Sequence, residues 1–146
     1  MNSENVILLA EDNSDEIELI NHMFEKNHIQ NQLIVIQEGD EVLDYLFRQS
    51  NYAHEEYPMP SLVLLDLQMP KVDGLEILQK IRDSKRTSSF PVLILISHKS
   101  EKELVRESHL RAEGFIQKPL TLNKLKKAIN KIDFSLDCGP KEKGVL

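Results

Sequence analysis

A chain of 146 residues has room for one domain with a sizeable core, and 40% apolar with 29% charged residues is the balance of a globular protein. The formal charge of −6 argues against broad binding to nucleic acid or to membrane surfaces. The single cysteine, Cys138, excludes an internal disulfide framework, and no apolar stretch approaches the ~20 residues of a membrane span.

The amino terminus has no basic region before its short apolar run, so it does not read as a signal peptide, and a cytoplasmic location is expected. That run, residues 6–10 (VILLA), predicts a first strand. Asn13, Ser14 and Asp15 each offer a cap for a helix striped by Ile17, Ile20 and Phe24. Residues 33–36 (LIVI) predict the second strand, followed by a stripe of Val42, Leu43, Leu46 and Phe47. A polar linker over residues 49–60 leads to a third strand at 62–65 (LVLL). Asp73-Gly74 then opens a helix striped by Leu75, Leu78 and Ile81. Residues 92–96 (VLILI) predict the fourth strand, 101–110 a weakly amphipathic helix, and 114–117 a weaker fifth strand. Pro119 stands where a helix start tolerates it, before a stripe of Leu122, Leu125, Ile129 and Ile132. Residues 133–146 hold a proline, two glycines and few apolar groups, so they are expected to be a loosely held tail behind a domain spanning 1–132.

The strand runs are continuous rather than alternating, as in strands buried on both faces. Five strands alternating with five helices imply an α/β domain with a parallel, doubly wound sheet, because each parallel connection needs a crossover. In such sheets ligands sit beyond the carboxyl ends of the strands. The first strand ends in Glu11-Asp12, the third in Asp66 and the fourth in Ser97, and Lys118-Pro119 follows the fifth. With strand order 2-1-3-4-5 these ends converge on one pocket. Singly, each has a plainer reading: an acid at a strand end as helix cap or solvated charge, Ser97 as a turn residue, Lys118 as a surface charge. Together they place three carboxylates where only a cation relieves their repulsion. Magnesium, which takes oxygen ligands and few carboxylates, suits that set. A lysine and a serine hydroxyl opposite suit phosphoryl oxygens, and a carboxylate can itself be the nucleophile.

The segments VILLAED (6–12), LLDLQMP (64–70) with Asp73-Gly74, Ile96-Ser97 and FIQKP (115–119) resemble the receiver domain of bacterial two-component response regulators. DLQMPKVDG, from Asp66 to Gly74, is the most specific of them, and the likeness covers residues 5–132. The resemblance implies a flavodoxin-like receiver fold and a phosphoacceptor at Asp66, charged by a sensor histidine kinase or a phosphotransfer protein. It implies that Asp12 and Asp66 bind Mg2+ directly, Glu11 through water, and Gln68 through its backbone carbonyl. Ser97 and Lys118 would grip the phosphoryl group, and Phe115 would be an aromatic switch following Ser97; the duller reading of Phe115 is plain packing, as is common for an edge-strand aromatic. Lys118-Pro119 resembles the family's cis bond, whereas an isolated X-Pro bond would be expected trans. Glu11 replaces the commoner aspartate, and His98, Gln68 and Lys99 form a variable rim.

The Glu-Asp pair, the segment DYLFRQ (44–49) and the linker before the third strand resemble single-domain regulators associated with bacterial phytochromes, which makes a phytochrome a candidate kinase. The expected output is a change in partner binding at the face built from the fourth helix, fifth strand and fifth helix, toward an unknown downstream protein or a second copy in a homodimer. No nucleic-acid or membrane partner is expected. Three other classes compete. A magnesium-dependent aspartyl-phosphate phosphatase would want an acid where Gln68 stands. An unphosphorylated receiver-like scaffold is disfavoured by the intact Asp12, Asp66, Ser97 and Lys118. A flavin carrier would want a glycine-rich phosphate loop.

Overall fold

Strands of four or five apolar residues, each followed by an amphipathic helix, build the architecture directly. The computed structural model describes residues 5–53 and 56–139. Their order is β1 (Ile7–Ala10), α1 (Ser14–Lys26), β2 (Leu33–Ile36), α2 (Gly39–Leu46), β3 (Leu62–Asp66), α3 (Gly74–Asp83), β4 (Val92–Ile96), α4 (Lys99–Ser108), β5 (Gly114–Gln117) and α5 (Leu122–Ile129). Within the sheet the strand pairings are parallel and the order is β2-β1-β3-β4-β5, as expected from the sequence.

The continuous apolar runs have a simple cause. Alternate residues of one strand point into two different cores. Leu8, Val63, Leu65, Val92 and Ile94 pack against α2, α3 and α4 through Val42, Leu46, Ile77, Leu78, Ile81 and Val105. Ile7, Leu9, Leu62, Leu64, Leu93 and Leu95 pack against α1 and α5 through Ile20, Phe24, Leu125 and Ile129. Burying a side chain of this kind contributes roughly 1.5–3 kcal/mol, so both cores stabilise the sheet whose ends carry the polar residues.

The structure adjusts several boundaries of the sequence reading, and the linker with them. Strand β3 runs one residue further, so that Asp66 is paired opposite Leu95 rather than in the loop. Helix α4 begins at Lys99, two residues earlier than expected, because the Glu101 carboxylate caps its first turn. The linker also has structure of its own: a 3-10 turn at Ser50–Tyr52 brings Tyr52 beside Tyr45 and Tyr57, ring centroids 5.0–6.3 Å apart in edge-to-face arrangements. The Tyr45 hydroxyl donates to the Pro58 carbonyl and that of Tyr52 to the Glu41 carboxylate.

The loosely held tail is a correction over residues 133–139. Phe134 is buried in the α1/α5 core, and Leu136 packs on its edge. Gln30 N donates to Asp137 O (2.6 Å), Gly139 N to His28 O (2.7 Å), and Cys138 forms an antiparallel bridge with Ile29. The Asn31 side chain ties residue 5 to the segment after α5, donating to Asn5 O (2.6 Å) and accepting from Asp137 N (2.5 Å). Two apolar side chains and a set of backbone partners thus outweigh the loop-like composition. Residues 140–146 of that expected tail lie outside the described residues.

Candidate functional site

The carboxyl ends of β1, β3 and β4 and the residue after β5 open onto one cleft, lined by Glu11, Asp12, Asp66, Gln68, Ser97 and Lys118 among others. Each strand delivers its polar residue at the point where its apolar run stops. Asn13 caps α1 through Glu16 N, and Asp73 caps α3 through Glu76 N, which turns the chain away from the cleft behind each acid.

The loop after β3 needs a glycine at its far end. Gly74 N donates to Leu67 O (2.8 Å), and a Cβ on residue 74 would lie 2.4 Å from Asp66 O and 2.5 Å from Leu67 Cα. Only a residue without a side chain lets α3 start directly beneath Asp66. Lys71, at φ 71°, makes the tight reversal between them.

Electrostatically the cleft is crowded. Glu11 is fully buried and Asp66 is 4% exposed, whereas Asp12 stands in solvent. One oxygen from each of the three lies within 4.8 Å of the others. Lys118 Nζ donates to Asp66 Oδ2 (2.9 Å) and to Glu11 Oε2 (3.3 Å). Glu11 Oε2 also accepts from Asn13 N (3.2 Å), and Asp66 Oδ1 from Gln68 N (3.1 Å). Burial first, then the charge of Asp66, push the Glu11 carboxyl up from 4.5 to about 7 against the pull of Lys118. For Lys118, burial alone would lower the ammonium; its bonds to Asp66 and Glu11 outweigh that and raise it above its ordinary value. Lys118-Pro119 is cis.

One ammonium reaches two of the three carboxylates, those of Asp66 and Glu11, and Glu11 Oε1, 3.1 Å from Nζ, has no hydrogen-bond partner among the described residues. An all-oxygen donor set with a buried, underserved oxygen fits a hard divalent cation. Glu11, Asp12 and Asp66 are the side chains that would hold it.

The expected residues Glu11, Asp12, Asp66, Gln68, Ser97 and Lys118 are therefore brought together. Phe115 does not line the cleft. It lies on β5 opposite Ile94, half-buried against the α2–α4 core, with Lys102 Nζ 5.4 Å from its ring centroid. His98 and Lys99 are exposed at the start of α4. Sequence reasoning missed Glu101. It is 6% exposed and bonds to both the β3–α3 and β4–α4 loops. Its spacing of three from the helix cap at His98 is the one local signal for it.

A doubly wound sheet with an acidic cleft and a lysine at its carboxyl edge defines a class, and the chain belongs to the response regulator receiver domain family, matched over residues 7–130. Within that family it is similar to regulators of phytochromes. The solved bacteriophytochrome response regulator AtBRR is 40% identical with a TM-score of 0.81, covering 87% of this chain and 91% of that one. Its counterpart RtBRR is 34% identical with a TM-score of 0.83, covering 93% and 83%. Response regulator Rcp1 of Synechocystis sp. is 30% identical over 132 residues, 90% of this chain and 88% of Rcp1. The Mn(2+)-bound form of Rcp1 superposes with a TM-score of 0.71. Among the described residues no helix is long and apolar enough to cross a membrane.

Proposed function

We propose that this chain is a phosphorylation-controlled switch that receives a phosphoryl group on Asp66 from a sensor histidine kinase or a phosphotransfer protein. The observation that carries the reading is the Asp66 carboxylate held 2.9 Å from Lys118 at the mouth of a three-carboxylate cleft. In the reaction, an Asp66 oxygen attacks the phosphorus of a phosphohistidine. The P–N bond breaks, its electron pair stays on the imidazole, and that nitrogen takes a proton from solvent. Lys118 exchanges part of its bond to the carboxylate for one to the incoming phosphoryl oxygens, and Ser97 Oγ donates to another. Glu11 through water, Asp12 and Asp66 directly, and the backbone carbonyl of Gln68 would hold Mg2+, which when bound would supply charge neutralisation for the phosphoryl oxygens. The manganese in Rcp1 supports a divalent ion of this type.

The switch runs from Ser97 to the α4–β5–α5 face, with Phe115 as the aromatic that follows the serine. Ser97 directly follows the last residue of β4, and Phe115 lies on the neighbouring strand β5. That face then binds a downstream protein or a second copy of the chain. A phytochrome is the kinase favoured by the likeness to AtBRR, RtBRR and Rcp1. The chain is not a turnover enzyme: Gln68, two residues after the nucleophile, cannot supply the acid that a phosphatase needs for its leaving group.

Incubation with phosphoramidate and Mg2+ should add the mass of one phosphoryl group to the intact protein. Asp66→Asn should show none. Equal labelling of the variant, or no label on the native chain, would rule this function out.

A further inference from the structure

Glu101 is a buried acid whose bonds connect the two loops that flank Asp66. Its Oε1 accepts from Ser97 N (2.6 Å) and His98 N (3.2 Å), and its Oε2 accepts from Gln68 Nε2 (3.1 Å). Gln68 is in turn tied by its own N–H to Asp66 Oδ1 (3.1 Å). Three N–H groups on two loops satisfy this carboxylate, which is itself buried although its partners Gln68, Ser97 and His98 stand at the surface.

We propose that Glu101 is a positioning residue that sets how long a phosphoryl group survives on Asp66; this rests on Asp66 being the phosphoacceptor. Loss of the group occurs when water attacks phosphorus and the P–O bond to Asp66 breaks. Asp66 leaves as the carboxylate, inorganic phosphate departs, and the surplus proton goes to solvent. A carboxamide at the cleft rim is suited to orient that water, since it both donates and accepts hydrogen bonds. Glu101 engages the Gln68 amide group and so keeps it from doing this. Through its other oxygen the same carboxylate fixes the backbone of Ser97, whose hydroxyl holds the phosphoryl group. Releasing Glu101 thus frees a hydrolytic group and loosens a retaining one.

Simple helix capping predicts something different. An aspartate at position 101 keeps an acid in the first turn of α4, where it suits the helix dipole. Being one methylene shorter, it loses its reach to Gln68. A glutamine keeps the reach, accepting from Ser97 and His98 and meeting a Gln68 amide turned end for end.

The test follows loss of label after protein charged with phosphoramidate is desalted into Mg2+ buffer. Glu101→Asp should lose its phosphoryl group about tenfold faster, on the order of 1.4 kcal/mol in barrier. Glu101→Gln should stay near the native lifetime, and adding Gln68→Leu to Glu101→Asp should remove most of the acceleration. In uncharged, chelator-treated protein, the Gln68 side-chain amide resonances should move in Glu101→Asp and far less in Glu101→Gln. An unchanged lifetime in Glu101→Asp, or an acceleration that persists with Leu at position 68, overturns the proposal. Native protein that takes no label overturns the phosphoacceptor reading and this proposal with it; label of unaltered lifetime overturns this proposal alone.

Discussion

Glu11 and Glu101 are both buried acids at the same cleft, yet their surroundings treat them oppositely. Glu101 is met by three N–H groups, while Glu11 faces another carboxylate and retains one oxygen without a hydrogen bond among the described residues. Folding therefore favours the protonated form of Glu11, whose carboxyl rises from 4.5 to about 7. The folded state holds this proton after the unfolded chain has released it, so the contribution is full below pH 4.5 and is lost as the pH rises through 7. In chelator-treated protein, the stability of the native chain relative to Glu11→Gln should decline across that window. Urea denaturation of both proteins through the window checks this, and a constant difference would refute it. The strand-end residues were legible in the sequence because each interrupts an apolar run. Glu101 was not, because its value lies in reaching Gln68, 33 positions away. Phe115 had two readings from the start, and its place outside the cleft leaves its role to the proposed switch.

At the scale of an element, the turn from β3 into α3 is tightly specified. Gly74 has no spare space on its Cα, for a methyl group there meets the backbone of Asp66 and Leu67. Backbone cannot yield as a flexible side chain does. Gly74→Ala should cost about 1–3 kcal/mol of stability and slow phosphoryl uptake by displacing Asp66. Thermal melts together with labelling rates measure both, and a variant with native melting and uptake would show that the loop relaxes freely. The strands and helices were legible because their apolar periods follow from burial on two faces. The tyrosine cluster behind α2 was not. It depends on a 3-10 turn and on rings brought together from residues 45, 52 and 57, for which a polar linker carries no periodic signal.

For the whole molecule, the two cores differ in how they are closed. The α1/α5 core takes in Phe134 from beyond the last helix, so residues 133–139 complete the packing instead of trailing from it. Composition alone pointed the other way, since one phenylalanine among polar neighbours has no periodicity to read. Phe134→Ala should lower stability by about 3 kcal/mol and the melting temperature by on the order of 10 °C, with labelling of Asp66 at room temperature unchanged. Calorimetry and intact-mass labelling decide it, and a native melting temperature would mean that the segment contributes nothing.

The same segment places Cys138 against Ile29, at the amino-terminal edge of β2. It is the only sulfhydryl in the sequence, exposed, and at the opposite pole of the sheet from the cleft carboxylates. A spin label or fluorophore attached there through maleimide chemistry would mark every molecule once and leave the cleft untouched, giving distance measurements between copies a fixed origin.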